Sequence, residues 1–150
     1  MSNPLIAQVA AQEIEAQAQN LIDIIKPLSE AELWTTNGKI PNSIGTLTRH
    51  LTGNLNHYFG AGLLKNGYQR ERDQEFSQVG LTRTQVIADL QAAVELVKQS
   101  ASAVDAAALD LPFTSPDGET YASLSYYIMH MTVHFAMHCG QADYAQHFVK

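Results

Sequence analysis

Three histidines, His130, His134 and His138, recur at every fourth position within residues 126–144, a stretch that otherwise reads as apolar helix. Helical residues four apart stand about 5–6 Å apart at Cβ, a separation from which two imidazoles can turn onto one divalent ion. Two imidazoles form a clip, so a complete site needs a third ligand from elsewhere in the chain. With His134 as origin, Tyr127, His138 and Ala145 fall within about 40° of it on the apolar side, while His130 falls about 40° the other way, toward the rim. His147 lies nearly opposite and is expected to face water. A lone core histidine is explained by one hydrogen-bond partner; two on one inward face ask for more.

The third imidazole has two candidates. Over residues 44–64, Leu47, Leu51, Asn54, Leu55, Tyr58 and Phe59 make one face of a helix, with His50 and His57 along its margin. Positions seven apart differ by only about 20° around the axis, so the helical wheel permits either.

The elements that must carry these residues read as four long helices. Asn3-Pro4 starts the first, with Asn3 capping and Pro4 at the first helical position. Its stripe runs through Ile6, Val9, Ile14, Gln17, Leu21, Ile24, Ile25 and Leu28, with alanines and glutamines outside, and it ends near Lys26 before Pro27. Ser29 to Glu32 in register form a capping box for one short turn anchored by Leu33 and Trp34. Ser43 caps the second long helix; Lys65, Asn66 and Gly67 close it, and the polar residues 69–78 read as a loop or partly ordered crossing segment. Thr82 with Gln85 opens the third, whose stripe is Val86, Leu90, Ala93, Val94, Val97, Ala101 and Val104. The turn Ser115-Pro116-Asp117-Gly118 predicts a loop or small hairpin before the last helix, which Thr120 is placed to cap. Leu124, Tyr127, Ile128, Met131, Phe135 and Ala142 form that helix's inner face. The fold class is therefore all-α, a four-helix bundle.

Composition sets outer limits. A chain of 150 residues is expected to form one domain, residues 1–150, with enough length to bury a core without disulfides. The formal charge of -6 and scattered basic residues oppose binding to a phosphate backbone, so nucleic acid is not an expected partner. No apolar run approaches the roughly 20 residues of a membrane span, and Glu13 and Glu15 are foreign to a signal peptide. The single cysteine, Cys139, excludes an internal disulfide and suits a reducing cytoplasm. Charged residues at 16% are sparse, which suggests that much of each helix faces protein, a second subunit included.

Two stretches resemble a known family. Ser43-Ile44-Gly45-Thr46-Leu47-Thr48-Arg49-His50-Leu51, followed by Gly53 and Asn54, resembles the first motif of the DinB/YfiT-like metalloenzymes. His134-Phe135-Ala136-Met137-His138-Cys139-Gly140-Gln141 resembles their last, a His, three residues, then His-Arg-Gly-Gln. The resemblance implies an up-down-down-up bundle, often a homodimer, with His50, His134 and His138 holding a divalent metal. Three imidazoles suit nickel or zinc first, with iron and copper also compatible. His57 and His130 match no ligand of the family and are expected as outer partners or satisfied boundary residues. Cys139 departs from the family's arginine, so an anion-holding role there is absent or moved; as a residue it reads as a buried filler.

Three neutral imidazoles leave the ion's charge uncompensated and a coordination position open, the pattern of catalytic sites. Such an ion lowers the pKa of a bound thiol or water. The resemblance implies the thiol version, an S-transferase or isomerase using bacillithiol, mycothiol or a similar small thiol. A hydrolase using water and a non-catalytic, stress-associated metal-binding dimer are the alternatives. The free ring nitrogens need partners, and Asn54, Gln141, Tyr58 and Tyr127 lie within reach by helical spacing. Gly140 can allow close helix approach, and Asp117 and Glu119 can overhang the site from their loop.

Overall fold

The computed structural model describes residues 4–150. Six helices and one two-stranded hairpin follow in order: α1 (Leu5–Ile25), α2 (Glu30–Leu33), α3 (Ile44–Leu55, continued as π-helix over Asn56–Leu64), α4 (Arg72–Ser77), α5 (Arg83–Ala103), β1 (Phe113–Thr114), β2 (Thr120–Tyr121) and α6 (Leu124–Ala145). The four long helices close a ring in which α1 packs on α5 and α6, and α3 packs on the same two from the other side. The expected all-α helical bundle is present.

Helix α1 begins one residue later than its proline suggests, because Pro4 is the extended N-cap and Leu5 the first helical residue. The capping role expected of Asn3 lies outside the described residues. Its inner face also differs from expectation: Ala7, Ala10, Ala11 and Ala18 are buried beside Ile14, Leu21, Ile22 and Ile25, while Val9 is 48% exposed. The small side chains let α1 approach α5 and α6 closely, so the alanines are core and not filling. The capping boxes at Ser29/Glu32 and Thr82/Gln85 are both formed, and Glu30 accepts the backbone N–H of Arg83, tying the start of α5 to α2.

Ser43 caps α3 through the N–H of Thr46. A Cβ at Gly45 would lie 2.7 Å from the Trp34 ring, so this glycine is the seat on which Trp34 closes the core. From Asn56 the helix widens to π geometry. There Tyr127 Oη donates to the carbonyl of Tyr58 at 2.7 Å and fills the space where a side chain at Gly62 would be. A hydroxyl inserted into the backbone ladder is a physical cause of such a bulge. Lys65 then ends the helix in the left-handed region, φ 54°.

Residues 69–78 hold more order than their polarity suggests. Arg49 donates to the carbonyls of Gln74 and Gln78 and clamps α4 across α3. The hairpin pairs Phe113 with Tyr121 and Thr114 with Thr120. Thr120 is therefore a strand residue, its hydroxyl bonded to Thr114; the cap of α6 is Ser123, which accepts from the N–H of Tyr126. The inner face of α6 is as expected, with Tyr127, Ile128 and Phe135 at 1% exposure or less. Among the described residues, no helix is long and apolar enough to cross a membrane.

Candidate metal centre

His50 stands in the middle of α3, and His134 and His138 stand one turn apart on the flank of α6 that faces it. One nitrogen from each of the three rings lies within 4.8 Å of the others. His134 Nε2 and His138 Nε2 are 3.2 Å apart. Two nitrogens each about 2.0–2.1 Å from one tetrahedral ion stand about 3.3 Å apart, so the spacing of that pair suits a shared cation.

The polar surroundings are specific. His138 Nδ1–H donates to Gln141 Oε1 at 2.7 Å, which directs its Nε2 toward the cluster. Asn54 Nδ2 lies between two rings, 3.3 Å from His50 Nε2 and 3.2 Å from His134 Nδ1. On the far side of His50, Nδ1 meets Glu75 Oε1 at 3.1 Å, and Glu75 is paired with Arg70. The ring of Phe76 closes over His50 at 5.0 Å between centroids.

The pair on α6 is neutral at physiological pH. Burial, then the neighbouring His138 and His50, push His134 down to about 4. Burial also lowers His138, against the opposing pull of Gln141. Uncharged rings keep the lone pairs that a metal requires. A consequence for the metal-free protein follows from the sign of the His134 shift: the unfolded chain binds this proton near the ordinary 6.5, the folded chain only near 4. Stability is therefore full above pH 6.5 and falls as pH drops toward 4, by about 1–2 kcal/mol after allowance for the ring's half exposure. Urea melts of the metal-free protein across that window check the slope, and His134→Gln should flatten it.

The remaining expected residues lie outside the cluster. His57 turns away and donates from Nε2 to Asp117 Oδ1 at 2.7 Å, while its Nδ1 is buried without a partner. Seven residues of helix rise about 10 Å, so His50 and His57 share an angle but not a height. Tyr58 Oη also donates to Asp117, and Glu119 accepts from Tyr121, so neither loop carboxylate contacts the three imidazoles. Burial and Asp117 raise the Tyr58 pKa, and burial raises that of Tyr127, so both hydroxyls stay protonated. His130 is exposed and stacked on Tyr126, with centroids 5.8 Å apart. Cys139 is buried and burial raises its thiol to about 12, which leaves it an inert filler. Gly140 faces open space, so it serves no close approach between helices of this chain.

Sequence reasoning missed Arg70, Glu75 and Phe76. A buried ion pair leaves no hydrophobic period, and the available signal was Phe76, a lone aromatic in a polar run that had to dock somewhere.

Comparison with known proteins bears on the fold and the family. A solved structure described as a conserved protein from Enterococcus faecalis superimposes with a TM-score of 0.70 at 14% identity, covering 95% of each chain, which establishes a shared fold. No curated protein matches the chain. The sequence model of the mycothiol-S-transferase family matches residues 11–147 and spans both histidine-bearing helices. This chain belongs to that DinB-like family, the mycothiol S-transferases.

Proposed function

We propose that this protein is a metal-dependent S-transferase that joins a low-molecular-weight thiol of the mycothiol or bacillithiol type to a small electrophile, with His50, His134 and His138 as the ligands of one divalent ion. The observation that carries it is the meeting of three imidazoles from two helices, in a chain matched by that family along nearly its whole length. An ion held there would supply the Lewis acidity that brings a thiol to its thiolate near neutral pH. The chain's own residues prepare the place: Gln141 orients His138, Asn54 bridges His50 and His134, and Phe76 shields His50 from water on one side. The chain's single thiol does not compete, since Cys139 is buried and protonated.

The test is turnover of a thiol with an electrophile such as monobromobimane. Nickel- or zinc-loaded protein should accelerate conjugate formation at least about 100-fold over the chelated protein, the scale of one well-placed electrostatic contribution. Metal-dependent hydrolysis of an ester or amide without thiol would instead establish the hydrolase alternative, and metal binding without either reaction would establish the non-catalytic one.

We propose further that the working form is a homodimer paired through α6. Its outer face carries Tyr126, Met129, Val133, Met137 and Tyr144, between 40% and 66% exposed. No Asp, Glu, Lys or Arg stands between Glu119 and Asp143. The stripe is nearly its own mirror: Tyr126 and Tyr144 are equidistant in sequence from Phe135, as are Val133 and Met137. Two antiparallel copies would therefore set Tyr126 against Tyr144 and Val133 against Met137, the self-complementary patch that a two-fold interface requires. The open space at Gly140 falls within one residue of the position opposite a partner's Met129. Exposed Leu5 and Val9 of α1 widen the patch beside Met129.

A further inference from the structure

The pair Glu75 and Arg70 comes from the connection between α3 and α5, outside both histidine motifs. We infer that Glu75 is a positioning residue that holds the ring proton of His50 on Nδ1 and so presents a bare Nε2 to the other two imidazoles, with Arg70 and Gly53 as the parts that keep its carboxylate in place. This rests on His50 being a ligand.

The chemistry at Nδ1 decides the tautomer. Glu75 is 5% exposed, and the Arg70 guanidinium holds both of its oxygens, the fork-on-fork pairing made with an ionised carboxylate. An ionised carboxylate only accepts, so a hydrogen bond at 3.1 Å from His50 Nδ1 to Glu75 Oε1 requires the proton on Nδ1. Arg70 Nη2 lies 3.3 Å from the same nitrogen and is the competing donor. Its geometry favours the carboxylate: Nη2 reaches Oε1 at 2.7 Å and Nε reaches Oε2 at 2.8 Å, a two-pronged pair that leaves the Nδ1 contact the longest of the set. On the opposite edge of the ring, the amide of Asn54 faces Nε2 as a donor, which agrees with a lone pair there.

The carboxylate has one way in. A Cβ at Gly53 would sit 1.9 Å from Glu75 Oε2 and 2.5 Å from Cδ, so the side chain crosses α3 where that helix has no side chain of its own. Glycine within a helix costs about 0.5–1 kcal/mol relative to alanine, and here the space it leaves is occupied. Adjacent residues of α3 hold α4 in two ways, since Arg49 grips the backbone carbonyls of Gln74 and Gln78 while His50 receives the carboxylate between them. A salt bridge serving only to tie α4 down would not need the imidazole in the pair.

The experiment reads the ring directly in the metal-free protein. Long-range 1H–15N correlation of the histidine rings at mildly alkaline pH, with His50 assigned by its loss in His50→Gln, should show the Nδ1–H tautomer. Glu75→Ala should shift His50 toward Nε2–H, the form common in free imidazole side chains, while Glu75→Gln keeps an acceptor and should retain Nδ1–H in the larger share. Gly53→Ala should reproduce the Glu75→Ala spectrum by displacing the carboxylate. Zinc or nickel affinity should fall about 10–100-fold in Glu75→Ala and less in Glu75→Gln. An Nε2–H signal for His50 in the unmodified chain, or a tautomer unmoved in a folded Glu75→Ala, overturns the inference. If the spectra follow expectation but the unmodified chain binds no metal, the positioning role stands and the metalloenzyme proposal alone fails.

Discussion

His50→Ala, His134→Ala and His138→Ala are each expected to lose the bound divalent ion, whereas His57→Ala and His130→Ala keep it. The chain offers three nitrogens within 4.8 Å and, among the described residues, no other group of ligating side chains that could replace a missing one. Losing one of three ligands should weaken nickel or zinc binding by more than the about 100-fold upper limit for outer partners such as Gln141 or Glu75. The two control histidines have other occupations, His57 on Asp117 and His130 on Tyr126. Elemental analysis of the five purified variants reads the result, and circular dichroism separates ligand loss from misfolding. The folded state should survive all three ligand changes, because the imidazoles line the edge of the core and the core itself is aliphatic and aromatic. Retention of the ion in His50→Ala with loss in His57→Ala would move the third ligand and break the proposed site.

On the proposed α6 pairing, Val133→Glu should convert a dimer to a monomer, seen by light scattering as a fall from twice 16.5 kDa to once that mass. Under the two-fold pairing of α6, one substitution places two carboxylates close to the axis, each against the partner's Met137. A desolvated charge there, with its like-charged copy nearby, costs several kcal/mol, which corresponds to a dissociation constant raised at least about 100-fold. Val133 is 62% exposed within one chain, so the monomer's fold should be indifferent to the change. An unmodified protein that is monomeric at micromolar concentration, or a Val133→Glu variant that stays dimeric, removes α6 as the interface.

Most of the architecture was legible in the residues. Capping side chains at Ser29, Ser43 and Thr82, and apolar stripes of helical period through α5 and α6, are local signals. Short-range hydrogen bonds and the need to bury one face enforce them wherever the helix ends up. The four-residue spacing of His134 and His138 belongs to the same class, since a helix alone brings those rings together. The alanine face of α1 was not legible, because a small residue looks like outside filling until a neighbouring helix is known to approach closely.

Determined by the sequence itself, then, were the helical elements, the paired histidines of α6 and, through the resemblance, the place of His50 beside them. The tertiary structure supplied the physical reason for what the wheel left open. His50 and not His57 joins the cluster, because rotation about an axis says nothing of height along it, and the packing of α3 on α6 sets the height. It alone decided that Glu75 and Arg70, in a run that reads as a loop or partly ordered crossing segment, are folded in behind His50. Buried charge is stabilised by a partner distant in sequence or by a gap such as Gly53 leaves, and neither exists until the chain has closed on itself.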